Sequence, residues 1–253
     1  MKLSIIMPVY NEIESIEHIL RRVSEVKYDK EIIIVDDGSK DGTREFLKNN
    51  KADFDGVKVF YHDVNSGKTA AIRTALKYIT GDIVIIQDAD LEYNPTDYKQ
   101  LIEPIISGEF EVVYGSRFLN LDKRFVIWHW FLNKFLGRHY EVIYLSHFFG
   151  ILFLNLLAFL LYGVKITDIA TGYKVFKSEI IKEIWLDTNR FEFCYEITAK
   201  IAKRNIRIKE VPIKYHPRSI LKGKKITWKD GIRAALTLIK YKFKNIKNES
   251  HTY

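Results

Sequence analysis

Short apolar runs alternate with amphipathic segments in the first half of the chain. The runs are rich in Ile and Val, as is typical of strands buried on both faces of a parallel sheet, and they cover residues 3–9, 31–35, 57–61, 82–87 and 111–115. Between them, helical spacing of apolar residues begins at Ile13, and helices are also predicted at 69–79 and 95–107. Asn11, with Glu14 three residues later, predicts the first helix cap. This alternation predicts an open, mostly parallel α/β sheet with helices on both faces.

The pattern changes after Arg117. Residues 118–163 are aromatic and aliphatic, and 143–163 is almost continuously apolar, close to the length of a membrane span. Polar residues interrupt it, so an interfacial or re-entrant helix pair, a buried core helix and a true span all remain as interpretations. Further on, helices are predicted near 179–184 and 196–204, a strand at 206–213 and a basic, aromatic helix at 227–243.

Three stretches of one domain are expected from these patterns. Residues 1–117 would form the ligand-binding half of the sheet, residues 118–165 would form apolar helices at a membrane interface, and residues 166–253 would complete the domain with a basic C-terminal region. The formal charge is +8, and basic residues outnumber acidic ones from Lys200 onward. Such a surface favours nucleic acid, phosphate ligands or an anionic membrane, or is simply a solvated lysine-rich face. The single cysteine, Cys194, excludes an internal disulfide, fits a reducing compartment and is predicted to be a buried thiol.

Polar clusters follow four of the predicted strands, where ligands bind in open α/β sheets. Asp88-Ala89-Asp90 places two carboxylates in one turn, where they can hold a divalent cation together with diphosphate oxygens. Asp37 can accept hydrogen bonds from a base or ribose, and Gly38 allows close backbone approach. A glycine-rich dinucleotide fingerprint and a complete P-loop are both absent from the sequence, which counts against a dehydrogenase or an NTPase.

The same clusters resemble a known family. They read Pro8-x-Tyr10-Asn11-Glu12, Asp36-Asp37-Gly38-Ser39, Asn65-x-Gly67-Lys68, Asp88-Ala89-Asp90-Leu91-Glu92, Gly115-Ser116-Arg117, Asp168-x-x-Thr171-Gly172-Tyr173-Lys174, Glu210-Val211-Pro212-Ile213 and Arg218-x-x-x-x-Gly223-Lys224-Lys225. In this order, over roughly residues 3–240, they resemble family 2 glycosyltransferases with the GT-A fold. Within that family, dolichol-phosphate mannose synthases and related polyprenyl-phosphate sugar synthases are the closer resemblance.

The resemblance implies roles for particular residues. The nucleotide sugar would be bound by Pro8, Tyr10, Glu12, Val35, Asp37, Lys68, Asp88 and Ala89. Mg²⁺ or Mn²⁺ would be held by Asp88, Asp90 and Glu92, although many relatives have glutamine in place of the last. The acceptor phosphate would be contacted by Arg117, Arg218 and Lys224, and catalysis would depend on Asp90, Arg117 and Arg218.

The implied activity is an inverting transfer of a hexose from a GDP-mannose- or UDP-glucose-like donor to polyprenyl or dolichyl phosphate. A phosphate acceptor is already mostly dianionic at neutral pH and needs no catalytic base. The expected partners are the nucleotide sugar, the lipid phosphate and an anionic membrane surface, with peripheral attachment at its cytoplasmic face and no nucleic acid. An alternative is a family 2 transferase acting on a sugar or protein hydroxyl, for which Asp168 is the candidate base. A further alternative is a non-catalytic membrane or nucleic-acid binding module.

Overall fold

The structure, a computed structural model, describes residues 1–119, 142–217 and 228–245. Its described strands are β1 (Leu3–Val9), β2 (Lys30–Asp36), β3 (Val57–Tyr61), β4 (Ile83–Ile86), β5 (Val112–Ser116), β6 (Lys174–Lys177) and β7 (Ile208–Pro212). They form a seven-stranded sheet in the order β3-β2-β1-β4-β6-β5-β7. Neighbours pair in parallel, except that β6 runs antiparallel to both β4 and β5. The predicted open, mostly parallel sheet is therefore confirmed.

Helices connect the strands. They are α1 (Ile16–Ser24), α2 (Thr43–Asn50), α3 (Lys68–Leu76), α4 (Tyr98–Ile106), α5 (Val142–Tyr162), α6 (Ser178–Lys182), α7 (Phe193–Lys203) and α8 (Trp228–Phe243), with 3-10 turns at Lys51–Asp53 and Pro95–Asp97. The helix predicted at 95–107 thus begins as a 3-10 turn. Asn94 caps that turn by accepting a hydrogen bond from the Thr96 N–H, and proline occupies its first position.

Side chains of β1 and β2 alternate between the two faces of the sheet. Ile5 and Ile32 pack in a cluster with α1, α2 and α4, whereas Ile6 and Ile33 pack in a second cluster with α3, α6 and α7. Cys194 is buried in this second cluster, as predicted. A strand covered by helices on both faces buries every position, which explains the uninterrupted runs of Ile and Val.

A third apolar cluster lies beside the sheet, where α5 packs on α8 and both contact α7. It contains small and aliphatic side chains, including Ala158 of α5, Ala199 of α7 and Ala234 of α8. Alanine at these contacts lets the helix backbones approach closely. The two helices α5 and α8 therefore form a layer of their own, which packs on the seven-stranded sheet through α7.

Parts of the sequence prediction differ from the structure. The sequence analysis does not predict α2 or β6, because α2 buries only Thr43 and Leu47 and β6 has four residues. The predicted helix cap at Asn11 is wrong. The first helix begins at Ile16, and Asn11 instead adopts a left-handed φ of 52° in the preceding turn. There its Oδ1 accepts a hydrogen bond from the Lys40 N–H at 2.9 Å, so the asparagine joins two loops.

Candidate functional site

The carboxyl ends of β1, β2, β4 and β5 lie at one edge of the sheet, because the pairing makes all four run in the same direction. The register places Val9 beside Asp36, and the Asp37 N–H donates to the Val9 carbonyl at 2.8 Å. The Asn11 N–H donates to Ser39 Oγ at 2.9 Å. The polar segments after β1 and β2 are therefore bonded to each other, as expected for one composite site.

Residues predicted to line the nucleotide pocket surround this junction. Pro8 and Tyr10 are half-buried at the end of β1, and Glu12 is buried with its carboxylate accepting a hydrogen bond from Ser15 Oγ at 2.9 Å. Val35 is fully buried in the core cluster behind the edge. Its side chain therefore supports the site from within the core.

Asp37 organises the loop that leads into α3. Its Oδ1 accepts from the Ser66 N–H at 2.9 Å and lies 2.7 Å from His62 Nδ1, while its Oδ2 accepts from the Gly67 N–H at 2.7 Å. A Cβ on Gly38, whose φ is +79°, would lie 2.7 Å from the backbone of the same loop, so that only glycine fits. A nucleotide contact at Asp37 would use the remaining acceptor capacity of the carboxylate.

Lys68 and Asp88 form an ion pair between the start of α3 and the end of β4. The Lys68 ammonium donates to Asp88 Oδ1, and the two side chains are 16% and 19% exposed. Burial lowers the pKa of Lys68, but the charge and hydrogen bond of Asp88, together with other nearby acidic groups such as Asp90, outweigh burial and leave the pKa raised above its ordinary value. On the opposite side, a Cβ on Gly172 would lie inside van der Waals contact of Asp88 Oδ2. Asp88 is thus held between a lysine and closely approaching backbone.

The other predicted metal ligands lie in the same turn. Asp90 Oδ1 accepts from the Glu92 N–H at 3.2 Å, and Glu92 Oε2 accepts from the Tyr215 hydroxyl at 2.7 Å. Ala89 between the two aspartates is buried. Across the described ranges, no three His, Cys, Asp or Glu side chains converge into a ready-made metal cage.

These residues nevertheless fit a hard divalent cation. The donors are carboxylate oxygens, which such cations prefer, and Asp88 already attracts one positive charge, that of Lys68. Asp88 and Asp90 would hold the cation, and diphosphate oxygens of a ligand would complete its coordination.

Arg117 is fixed by a bidentate ion pair with Asp168. Its Nε and Nη2 each lie 2.7 Å from a carboxylate oxygen, and its backbone N–H donates to the same group at 3.1 Å. The Tyr215 ring lies 4.9 Å from the guanidinium carbon. Asp168 is completely buried, and its own N–H donates to Glu210 Oε1 at 2.9 Å. Arg117 is therefore oriented by Asp168 from the loop before β6 and by Tyr215 from the segment after β7.

This pairing bears on the alternative that uses a hydroxyl acceptor. That alternative needs Asp168 as a base within reach of an acceptor, but both oxygens of Asp168 accept hydrogen bonds from Arg117. A carboxylate so engaged is poorly placed to take a proton from substrate. The geometry therefore favours an acceptor that needs no base.

Arg218 and Lys224, which are predicted to contact the acceptor phosphate, lie outside the described residues. The described chain approaches the site just before them, since Tyr215 bridges to Tyr93 and stacks near Arg117.

Residues that the sequence analysis did not select also shape the site. The Asn189 carbonyl accepts from the Thr69 and Ala70 N–H groups at 3.0 and 3.2 Å, which caps the start of α3. His62 Nδ1 lies within hydrogen-bond distance of Asp37 Oδ1. The Tyr215 hydroxyl donates to Glu92, and the Tyr215 ring packs against the guanidinium of Arg117. These residues are isolated in the sequence, and only the folded chain reveals their contacts.

Helix α5 exposes apolar side chains and buries the polar residue Asn155. Asn155 is buried, donating to the Thr167 carbonyl at 2.5 Å and accepting from the Ile169 N–H at 3.0 Å. The outward residues of α5 and α8, here called the apolar face, are Phe149, Leu152, Phe153, Leu156, Phe159, Leu160, Ile232, Leu236, Ile239 and Phe243, each at least 41% exposed. This exposure contradicts a fully buried core helix for α5.

Within the ranges that the structure describes, no helix is both long enough and apolar enough to cross a membrane. Residues 120–141 of the predicted interfacial stretch lie outside those ranges.

Comparison with known proteins agrees with this geometry. Residues 4–185 match the model of "Glycosyl transferase family 2". A UDP-N-acetylglucosamine–dolichyl-phosphate N-acetylglucosaminyltransferase of Methanococcus voltae is 32% identical over 227 residues, covering 83% of this chain and 84% of the relative. A dolichol-phosphate mannosyltransferase of Pyrococcus furiosus is 29% identical, covering 89% of this chain and 61% of its own length. Glucosyl-3-phosphoglycerate synthase from Mycobacterium tuberculosis, solved with Mn²⁺, UDP and phosphoglyceric acid, superposes with a TM-score of 0.68 at 18% identity, covering 97% of this chain and 80% of that one.

Proposed function

This chain belongs to glycosyl transferase family 2, and from that premise we propose that it transfers a sugar from a nucleoside-diphosphate donor to the phosphate of a polyprenyl lipid. Its fold is GT-A-like. The observation that carries the proposal is the sheet edge where the Asp37 loop, the Lys68–Asp88 pair and the Arg117–Asp168 pair meet. Two relatives, each similar over more than four-fifths of this chain, are named as dolichyl-phosphate sugar transferases. Their names support a polyprenyl phosphate as the acceptor.

On the donor side, the loop shaped by Asp37 and the turn after β1 would bind the nucleoside. Asp88 and Asp90, with Glu92 beside them, would hold Mg²⁺ or Mn²⁺, which would stabilise the negative charge that develops on the leaving diphosphate. The structural neighbour crystallised with Mn²⁺ and UDP supports this cofactor. Lys68 adds a positive charge at the same place.

On the acceptor side, the lipid phosphate would attack the anomeric carbon directly. A phosphate oxygen forms the new bond as the bond from the anomeric carbon to the diphosphate breaks, so that the configuration inverts and no proton is moved. Arg117, together with Arg218 and Lys224 from the segment beyond Tyr215, would offset the charge of the incoming phosphate. Asp168 neutralises part of the charge of Arg117, and the main role of Asp168 would be to hold the guanidinium in place.

The apolar face supports a peripheral position on an anionic membrane. Lys240 and Lys242 lie exposed on α8 beside the apolar side chains, and Lys165 lies exposed just after α5. A helix surface with apolar side chains outward and lysines alongside is suited to the interface of an anionic bilayer. The lone buried Cys194 fits a position at its cytoplasmic side. Residues 1–117, 118–165 and 166–253 would then serve as donor half, interfacial segment and acceptor side of one domain.

Transfer assays test this function directly. Radiolabelled UDP- and GDP-sugars would be incubated with a polyprenyl phosphate and Mn²⁺, and the lipid product would be extracted. The expected result is a labelled polyprenyl-phosphate sugar that Asp88→Asn does not form. Transfer to a free sugar or peptide hydroxyl, with none to the lipid phosphate, would instead establish the hydroxyl-acceptor alternative.

A further inference from the structure

Lys68 occupies a position that helix stability does not explain. It is the first residue of α3, where the helix dipole disfavours a positive charge. Its ammonium nevertheless donates to Oδ1 of Asp88, a residue that would hold the divalent cation. Arg117, another cation near this turn, is already engaged by Asp168. Among the residues that the structure describes, Lys68 is therefore the cation paired with Asp88.

We propose that Lys68 is an exchangeable counter-ion that holds the position of the divalent cation until the donor arrives, so that cation and nucleotide bind in a coupled manner. This inference rests on the proposed function of the site. With no nucleotide bound, the ammonium competes with Mg²⁺ or Mn²⁺ for Asp88. When a nucleoside diphosphate enters, its phosphate oxygens attract Lys68, and Asp88 becomes available to the divalent cation.

The surroundings of α3 support this exchange. The N-terminal amides of Thr69 and Ala70 already donate to the Asn189 carbonyl, so these groups do not serve as a phosphate cradle. A Cβ on Gly67 would overlap the same carbonyl, which shows how closely the capping loop covers the helix start. The side chain of Lys68 is consequently the group of α3 best placed to meet a diphosphate.

Asp88 itself has little freedom to make room. Its Oδ2 side is closed by Gly172, whose own N–H donates to the Tyr93 hydroxyl at 2.8 Å. The lysine, in contrast, is attached through a flexible four-carbon chain and can swing away. The exchange therefore requires movement of Lys68 alone.

Binding of Mn²⁺, measured by electron paramagnetic resonance with and without UDP or GDP, tests the proposal. The Lys68→Met variant keeps the length of the side chain and removes its charge. Without nucleotide, Lys68→Met should bind Mn²⁺ at least about tenfold more tightly than the wild type does. Addition of UDP or GDP should raise the Mn²⁺ affinity of this variant less than it raises that of the wild type. Lys68→Arg should restore the wild-type behaviour.

Lys58→Met provides a matched control, because Lys58 also pairs with a carboxylate, Glu31, at 2.9 Å but far from the turn after β4. Its Mn²⁺ affinity should equal that of the wild type. If Lys68→Met is folded by circular dichroism and binds Mn²⁺ no more tightly than the wild type, the counter-ion role is wrong while the proposed function stands. If Lys68→Met does not fold, Lys68→Gln gives the same comparison. Failure of the wild type to bind UDP or GDP with Mn²⁺ would overturn both.

Discussion

The apolar face gives the prediction whose magnitude follows most directly from the structure. Leu156 and Leu160 of α5 are 54% and 70% exposed. Full burial of a leucine side chain contributes about 1.5–3 kcal/mol, so scaling by these exposed fractions gives about 2–4 kcal/mol for the pair if a bilayer covers both. The Leu156→Ser/Leu160→Ser variant should therefore bind vesicles between about twentyfold and several hundredfold more weakly.

Sedimentation with vesicles containing phosphatidylserine measures this change. The protein should retain its thermal midpoint, because neither side chain belongs to the buried cluster between α5 and α8. Transfer to a short, water-soluble polyprenyl phosphate should also be retained, since the substitutions do not touch the sheet edge. Ile106→Ser is the matched control: Ile106 is 48% exposed at the end of α4, away from both helices.

Three results would refute the reasoning. Unchanged vesicle binding by the double variant would show that the apolar face does not contact lipid. If the same variant instead converted a dimer to a monomer in solution, the face would be an interface between two copies of the chain. Complete release of the wild type by salt alone would assign the binding to the lysines.

Further predictions concern the metal, the buried ion pair and acid stability. Chelator should abolish transfer, and full activity in chelator would contradict a role for the metal. Asp90→Asn should lower the rate of transfer by about two orders of magnitude or more, because the metal stabilises the charge of the leaving diphosphate by several kcal/mol. Asp168→Leu should cost about 3–5 kcal/mol in urea unfolding, because Arg117 stays buried without a partner, whereas Arg117→Met/Asp168→Leu should recover most of the loss. Burial raises the pKa of Glu31, but hydrogen bonds from Ser4, Lys58 and Thr80 outweigh burial and lower it to about 2. Its stabilisation should be complete above pH about 4.5 and disappear as the pH falls towards 2, and Glu31→Gln should flatten this part of the curve; an unchanged acid profile would contradict that role.

The sheet could be predicted from the sequence because its strands are buried on both faces. Residues 3–9 and 57–61 were predicted with the bounds that the structure gives for β1 and β3. Strand β6 escaped prediction because its four residues, with lysine at each end, carry no clear periodicity. Lys174 is nevertheless buried, and its ammonium donates to the carbonyls of Ile169 and Thr171 in the loop just before the strand. This compensation depends on the folded path of the loop, which a pattern of apolar and polar residues does not show.

The candidate site was predictable to a different degree. Short motifs such as Asp88-Ala89-Asp90 identify the turn, because two carboxylates after a buried strand have few structural uses. The partners of these residues come from distant segments: Gly172 approaches Asp88 across 84 positions of sequence, and Asp168 pairs with Arg117 across 51. Asp168 is a candidate base on the sequence alone because its pairing with Arg117 becomes visible only in the folded chain.

The contacts of Asn155 connect the membrane proposal to the chemistry of the site. Its amide bonds the backbone at Thr167 and Ile169, on both sides of Asp168, and Asp168 in turn orients Arg117. The helix α5, which carries part of the apolar face, is thereby fixed to the loop that positions Arg117, the arginine that we propose contacts the acceptor. A polyprenyl phosphate has its chain in the bilayer and its phosphate at the surface. An enzyme for such an acceptor needs its phosphate-binding groups at a constant height above the bilayer, and a buried asparagine between α5 and the Asp168 loop provides that constraint.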